Sequence, residues 1–238
     1  MAGPAALVVP ALKKHTATVI MAHGLGDSGA GWAPIARDFQ RKAKFEEVSF
    51  VFPNAPTIPI TGNMGMSMPG WYDITSFSAL AAKSQDEAGI MRSRSYIHSL
   101  IAAETAEKGI PSNRILLGGF SQGGALALLA GLTAPVQLGG VFAMSSYLLL
   151  QDKLQGLVPQ EQPNKETKVW MGHGDSDPLV KHEWGVLTAE KLREIGFQVE
   201  FKTYPDLVHS ADPDEIADLE QWIAERLPPL GDKAGSKA

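Results

Sequence analysis

The stretch RILLGGFSQGGALALLAG, Arg114 to Gly131, decides how the chain is read. An apolar run reaches Leu117, glycines bracket a single serine, and an Ala/Leu-rich segment follows without a β-branched residue or a proline. That pattern predicts a buried strand, a very tight turn and a helix. The turn, Gly119-Phe120-Ser121-Gln122-Gly123, is a G-x-S-x-G pentapeptide. In a nucleophile elbow of this kind the serine takes a strained backbone conformation that pushes its hydroxyl out at the end of the sheet. The flanking positions lack a Cβ because other backbone passes too close. Ser121 is therefore the candidate nucleophile. A chain with 24 glycines produces such pentapeptides by chance, so the strand before it and the helix after it are what give this one meaning.

Upstream, Thr16 to Ala22 (TATVIMA) is a β-branched apolar run and predicts a central strand. It opens into His23-Gly24-Leu25-Gly26-Asp27-Ser28-Gly29, a glycine-rich loop whose amides can face the same end of the sheet as Ser121, where an oxyanion needs donors. His23 is read as a structural hydrogen-bonder. Trp32 to Lys42 predicts an amphipathic helix and Glu47 to Pro53 the next strand. Asn54 to Ala82 reads as one long irregular stretch, with prolines at 56, 59 and 69 and methionines at 64, 66 and 68. A loop of that length in a compact domain is usually functional or mobile. Trp71, Ile74 and Phe77 suit either the wall of a groove for a greasy substrate or a plug that seats the loop on the core, and both can hold together. Asp86 to Lys108 predicts a long surface helix closed by Gly109, with His98 as a solvated or packing residue.

Downstream, Gly139 to Ser145 and Thr167 to Gly172 predict strands. Between them Ser146 to Glu166 has no clear period but carries an apolar patch, Tyr147-Leu148-Leu149-Leu150. A helix over Lys181 to Ile195 ends at Gly196, a strand follows over Gln198 to Tyr204, a loop over Pro205 to Ala211 holds His209, and Asp212 to Leu227 is the last helix. Strands alternating with helices imply a mostly parallel sheet covered on both faces.

At 238 residues the chain supports one well-buried α/β domain, expected over 1–230, and a small polar tail over 231–238. The net charge is −5, and no run of Lys and Arg is long enough to track a phosphate backbone, so nucleic acid is not an expected partner. The absence of cysteine excludes a disulfide framework, a thiolate metal site and a thioester-linked lipid anchor. No asparagine completes an N-glycosylation sequon, which fits a cytosolic protein. The first residues, MAGPAALVVPALKK, lack a basic residue ahead of the apolar part and contain two prolines, which disfavours a cleaved signal peptide. No apolar run approaches the roughly 18 residues of a membrane span. Ser236-Lys237-Ala238 sits near a peroxisomal S-K-L address but lacks its leucine.

Serine needs a base within hydrogen-bond reach and a third group that orients the base. Behind an elbow of this type the acid and then the histidine are expected later in the chain, each on a loop at the carboxyl end of a strand. Of the two histidines after the candidate acids, His182 falls at a helix start and His209 in the loop after the last strand, so His209 is preferred. Asp175 and Asp177 both follow a strand. Asp177 is favoured, because Pro178 biases it toward an extended conformation on a stiff loop, while Asp175 suits closing the turn and His173 suits buttressing it. Three groups as close as His173, Asp175 and Asp177 rarely close a catalytic zinc shell, so no metal and no cofactor is expected.

Several segments agree, in order, with one family. They are His23 to Asp27, Met68-Pro69-Gly70-Trp71-Tyr72-Asp73-Ile74, Gly109 to Arg114, Gly119 to Gly124, and His173 to Val180. From about Pro10 to Pro229 the chain resembles the acyl-protein thioesterases, lysophospholipase-like members of the phospholipase/carboxylesterase group of small α/β hydrolases. The resemblance implies a single α/β-hydrolase domain with no separate cap, and a triad of Ser121, Asp177 and His209. It implies an oxyanion hole from the backbone N–H groups of Leu25 and Gln122, and a substrate groove bordered by Trp71, Ile74, Phe77, Tyr147 and Leu179. It also implies a cytoplasmic and nuclear protein that touches membrane surfaces transiently and removes long-chain acyl groups from S-acylated proteins, with lysophospholipids as further substrates. Two departures stand out. Ala2 occupies the region where family members often carry an acylated cysteine, and Tyr147 stands where relatives tend to have Trp. The rival expectations are a carboxylesterase for small or lipid esters and a catalytically silent lipid-binding or scaffolding protein on the same fold.

Overall fold

The computed structural model describes residues 4–77 and 85–231. Seven strands form the main sheet: β1 (Leu7–Val9), β2 (Ala17–Ala22), β3 (Val48–Phe52), β6 (Ile115–Phe120), β7 (Gly140–Met144), β8 (Lys168–Gly174) and β9 (Gln198–Tyr204). Their spatial order is β1-β3-β2-β6-β7-β8-β9. Every pair is parallel except β1 on β3. The inner strands are buried on both faces, which is why they read in the sequence as continuous apolar runs.

Among the described residues six α-helices flank the sheet: α1 (Gly29–Arg41), α2 (Glu87–Ala106), α3 (Gln122–Leu132), the short α4 (Leu154–Leu157), α5 (His182–Glu194) and α6 (Pro213–Arg226). On one face Ile90 and Ile97 of α2, Leu126 and Leu129 of α3, and Ala189 and Leu192 of α5 pack against Leu117 and Met171. On the other face Ala36 and Phe39 of α1 and Leu219, Trp222 and Ile223 of α6 pack against Phe142 and Trp170. Helix α3 is buried throughout, and a Cβ at Gly131 would lie 2.5 Å from Val141 Cγ2, so the helix sits against β7 at glycine distance.

The chain leaves β2 toward β3 on one side and returns to β6 on the other. That reversal makes a crevice at the carboxyl ends of β2 and β6, where open α/β sheets hold their ligands. The register pairs Ala22 with Gly119, so the loop after β2 and the turn after β6 begin side by side.

Two features depart from the sequence reading. Residues 4–15 contribute β1, three residues too short to show a period. Within the stretch read as irregular from 54 to 82, Thr57–Ile60 (β4) and Met66–Pro69 (β5) pair as an antiparallel hairpin. Pro59 and the exposure of β5 conceal it, since neither strand shows the alternation of a half-buried sheet. Residues 78–82 of that stretch, and the expected tail beyond Gly231, lie outside the described residues.

Candidate active site

Ser121 stands between β6 and α3 with φ 54° and ψ −121°, in the left-handed half of backbone space that a side chain rarely enters. Its amide donates to Met144 O at 2.9 Å and its carbonyl accepts from Ala125 N at 2.9 Å, so sheet and helix together hold the turn. A Cβ at Gly119 would lie 2.5 Å from the carbonyl carbon of Gly123, and one at Gly123 would lie 2.2 Å from Ala22 O. Both bracketing glycines are therefore required by approaching backbone.

His209 and Asp177 reach Ser121 from two other loops. His209 Nε2 lies 2.9 Å from Ser121 Oγ, and His209 Nδ1 lies 2.7 Å from Asp177 Oδ2. A carboxylate only accepts, so Nδ1 carries the proton, and in the neutral ring Nε2 is left to accept from the serine hydroxyl. The Phe120 ring packs on the imidazole with centroids 4.8 Å apart.

Asp177 is itself surrounded by donors. Its Oδ1 accepts from the amides of Leu179 (2.8 Å) and Val180 (2.9 Å). His173 Nε2 donates to Val180 O at 2.8 Å and lies 3.5 Å from Asp177 Oδ2. Burial alone would raise the Asp177 pKa, but the His173, His209 and backbone contacts outweigh it and hold the carboxyl well below the usual carboxylate range.

The acid and base loops also touch each other. Asp175 Oδ1 accepts from Asp206 N at 2.8 Å and Ser176 N donates to Leu207 O at 3.2 Å. A Cβ at Gly174 would lie 2.0 Å from Leu207 O, so only glycine permits this approach. Asp175 thus closes the junction, as its place in the turn suggested. His182 lies apart from Ser121 and pairs with Thr203 Oγ1 at 2.8 Å. His23 is buried, accepts from Ala55 N on Nε2 at 3.1 Å and donates from Nδ1 to Gly24 O at 2.7 Å. His98 is half-buried against Ala130 O. Among the described residues no group of three or more His, Asp or Glu gathers as a metal site would require.

A cavity of about 250 Å³ opens beside Ser121. Ile74, Phe77, Tyr147, Leu179 and Val180 supply its greasy wall, while Leu25 and Gln122 border it next to the serine. Gln122 is the first residue of α3, so its amide is one of the helix's orphan donors and lies at the positive end of the macrodipole. Leu179 and Phe77 remain 54% and 37% exposed, which leaves apolar surface at the mouth.

Trp71 departs from its expected place in this wall. It is 2% exposed and absent from the cavity lining. Its Nε1 donates to His23 O at 2.8 Å, its amide donates to Gln122 Oε1 at 2.9 Å, and Ser93 Oγ bonds its carbonyl. An indole needs a partner for its N–H when buried, and this one finds it beneath the loop after β2. Trp71 is the plug, while Ile74 and Phe77 form the wall. Nothing in the order of residues signals the clamp that does this. The Gln122 side chain takes the Trp71 amide on Oε1 and donates from Nε2 to Tyr72 O at 2.7 Å, tying the 71–72 segment to the elbow.

Residues 4–227 match the phospholipase/carboxylesterase family across both faces of the sheet and all three loops of this site. The chain belongs to that family. Within it, the chain is 54% identical over 230 residues to acyl-protein thioesterase 1 of Emericella nidulans, covering 94% of this chain and 96% of that protein. It is 49% identical over 235 residues to the protein of the same name from Neurospora crassa, covering 98% and 96%. Among solved structures of the family's fold, Arabidopsis thaliana SOBER1 superposes with a TM-score of 0.81 at 33% identity, over 89% of this chain and 99% of that one. Acyl-protein thioesterase 2 of Zea mays superposes with a TM-score of 0.83 at 26% identity, over 94% and 99%. The fold is the single-domain α/β-hydrolase fold of this family.

Proposed function

We propose that this protein is a serine hydrolase that cleaves long-chain acyl thioesters, S-palmitoyl above all, from protein cysteines through an acyl-enzyme. The observation that carries the reading is the hydrogen-bonded chain Ser121–His209–Asp177 opening on an apolar cavity, in a chain about half identical to proteins named acyl-protein thioesterase 1.

In this reading His209 Nε2 takes the proton of Ser121 Oγ as that oxygen attacks the thioester carbonyl. The oxygen of the tetrahedral intermediate is held by the amides of Leu25 and Gln122. The intermediate collapses, the cysteine sulfur leaves with the proton that His209 returns, and the acyl group stays on Ser121. Water then attacks the ester with His209 again as base, and fatty acid departs. Asp177 fixes the Nδ1–H tautomer and stabilises the imidazolium. Each methylene buried in the groove adds about 0.8 kcal/mol to binding. Eight would contribute roughly 6 kcal/mol before the cost of ordering the chain, enough to select long acyl groups over acetyl.

Lysophospholipids are secondary substrates in this proposal, because an oxygen ester uses the same groups. Cytoplasmic and nuclear residence with transient contact to membrane surfaces completes it. Specificity constants measured side by side on an S-palmitoyl peptide, lysophosphatidylcholine and a short aryl ester test the reading. The palmitoyl thioester should lead, and a short ester preferred by orders of magnitude would reject it.

A further inference from the structure

Behind the wall of the cavity lies a polar pair that the hydrolysis does not use. Tyr72 and Tyr147 are both buried, with hydroxyl oxygens 2.9 Å apart, and neither hydroxyl has another partner among the described residues. Two phenols bring two protons, and one shared hydrogen bond consumes one of them. The other is a donor without an acceptor, which folded proteins rarely leave in place unless water or a ligand supplies one.

Either hydroxyl can be the donor of the shared bond. Tyr147 borders the cavity beside Ser121, and Tyr72 does not. With Tyr72 donating to Tyr147, the unused proton belongs to the ring next to open space, where an acceptor can enter. Burial pushes the Tyr147 hydroxyl up to about 12, so it stays a donor at neutral pH. Its neighbours Ile74, Phe77, Leu179 and Val180 carry no polar side-chain atom. Tyr147 is therefore a hydrogen-bonding group set among these apolar side chains.

We propose that Tyr147, braced by Tyr72, recognises an oxygen atom carried part-way along the acyl chain, so that oxygenated acyl groups (hydroxy, keto or epoxy) are a substrate class of this site. The inference rests on the cavity being the acyl groove. An unsubstituted chain passing the hydroxyl offers it no acceptor, whereas an oxygenated chain of the same length does.

The test is a position scan. Hexadecanoyl thioesters of one leaving group, unsubstituted or with a single keto oxygen moved along the chain, are compared by kcat/KM on the wild-type protein, Tyr147→Phe and Tyr72→Phe. One keto position should be preferred over the unsubstituted chain by about fivefold in the wild type, the worth of one neutral hydrogen bond. Tyr147→Phe should abolish that preference, while Tyr72→Phe, which leaves the Tyr147 proton in place, should keep it. A flat scan in the wild type overturns the inference even if neither variant folds, and so does a preference that survives Tyr147→Phe. Failure to turn over any hexadecanoyl thioester would instead overturn the acyl-groove reading, and this inference with it.

Discussion

At the scale of single residues, the site depends on how firmly one carboxylate is held. Asp177 receives the amides of Leu179 and Val180 on one oxygen and the His209 imidazole on the other, with the His173 ring 3.5 Å away, so folding favours its ionised form. Its contribution to stability is then present above the unfolded value of about 3.9 and is lost as pH falls from there toward the lower folded value. Thermal unfolding from pH 6 down to pH 2 should show a steep acid limb in the wild type and a flatter one in Asp177→Asn. The same substitution should lower kcat on the order of 10⁴-fold, because the amide no longer fixes the imidazole tautomer. Steady-state kinetics on a palmitoyl thioester would show it, and a loss confined to KM would speak against the assigned role. Ser121, Asp177 and His209 could be named in the sequence because each belongs to a residue type whose chemistry restricts its position. Trp71 could not be placed, since an aromatic in a loop suits wall or plug equally until the partner of its N–H is known.

At the scale of elements, glycines and a glutamine set how closely the loops approach. Gly174 allows the acid loop to lie against Leu207 O, so Gly174→Ala should push the Asp177 and His209 loops apart. The expected cost is about 1–3 kcal/mol in stability by denaturant titration, with a fall in kcat larger than the change in KM. Gln122→Ala removes both hydrogen bonds that tie residues 71–72 to the elbow and leaves a buried amide and carbonyl unpaired, a loss of about 2–4 kcal/mol. The Gln122 backbone amide survives that change, so KM for long acyl chains should rise more than kcat falls. These contacts were invisible in the sequence because they join residues about thirty to fifty apart. The β4–β5 hairpin was hidden for another reason: its strands are short, exposed and interrupted by Pro59, so they carry no burial pattern. The buried parallel strands and the amphipathic helices were legible because their burial is written into the order of apolar residues.

At the scale of the molecule, the packing on either face of the sheet leaves a buried carboxyl without a partner among the described residues. Glu215 of α6 is fully buried beneath Gly172, and neither carboxylate oxygen has a hydrogen-bond partner among the described residues. Burial first, then the neighbouring Asp212 and Asp218, raises its pKa to about 8. The folded chain therefore holds a proton there that the unfolded chain releases near pH 4.3, and stability declines as pH rises from about 4.3 to about 8. Glu215→Gln should match the wild-type Tm at about pH 4 and exceed it increasingly toward about pH 8. Equal Tm values across the range would show that the carboxyl is not buried as described.

The reversal of strand order between β2 and β6 brings the loop after β2, the elbow and the cavity to one crevice, where Ser121 is the proposed nucleophile. The most direct measurement is mass spectrometry of the peptide containing Ser121 after the reaction with a palmitoyl thioester is stopped within its first turnover. A single palmitoyl adduct on Ser121 that disappears as substrate is exhausted, and never forms in Ser121→Ala, is the predicted result. Turnover without an adduct on that peptide, or continued turnover in Ser121→Ala, would contradict it.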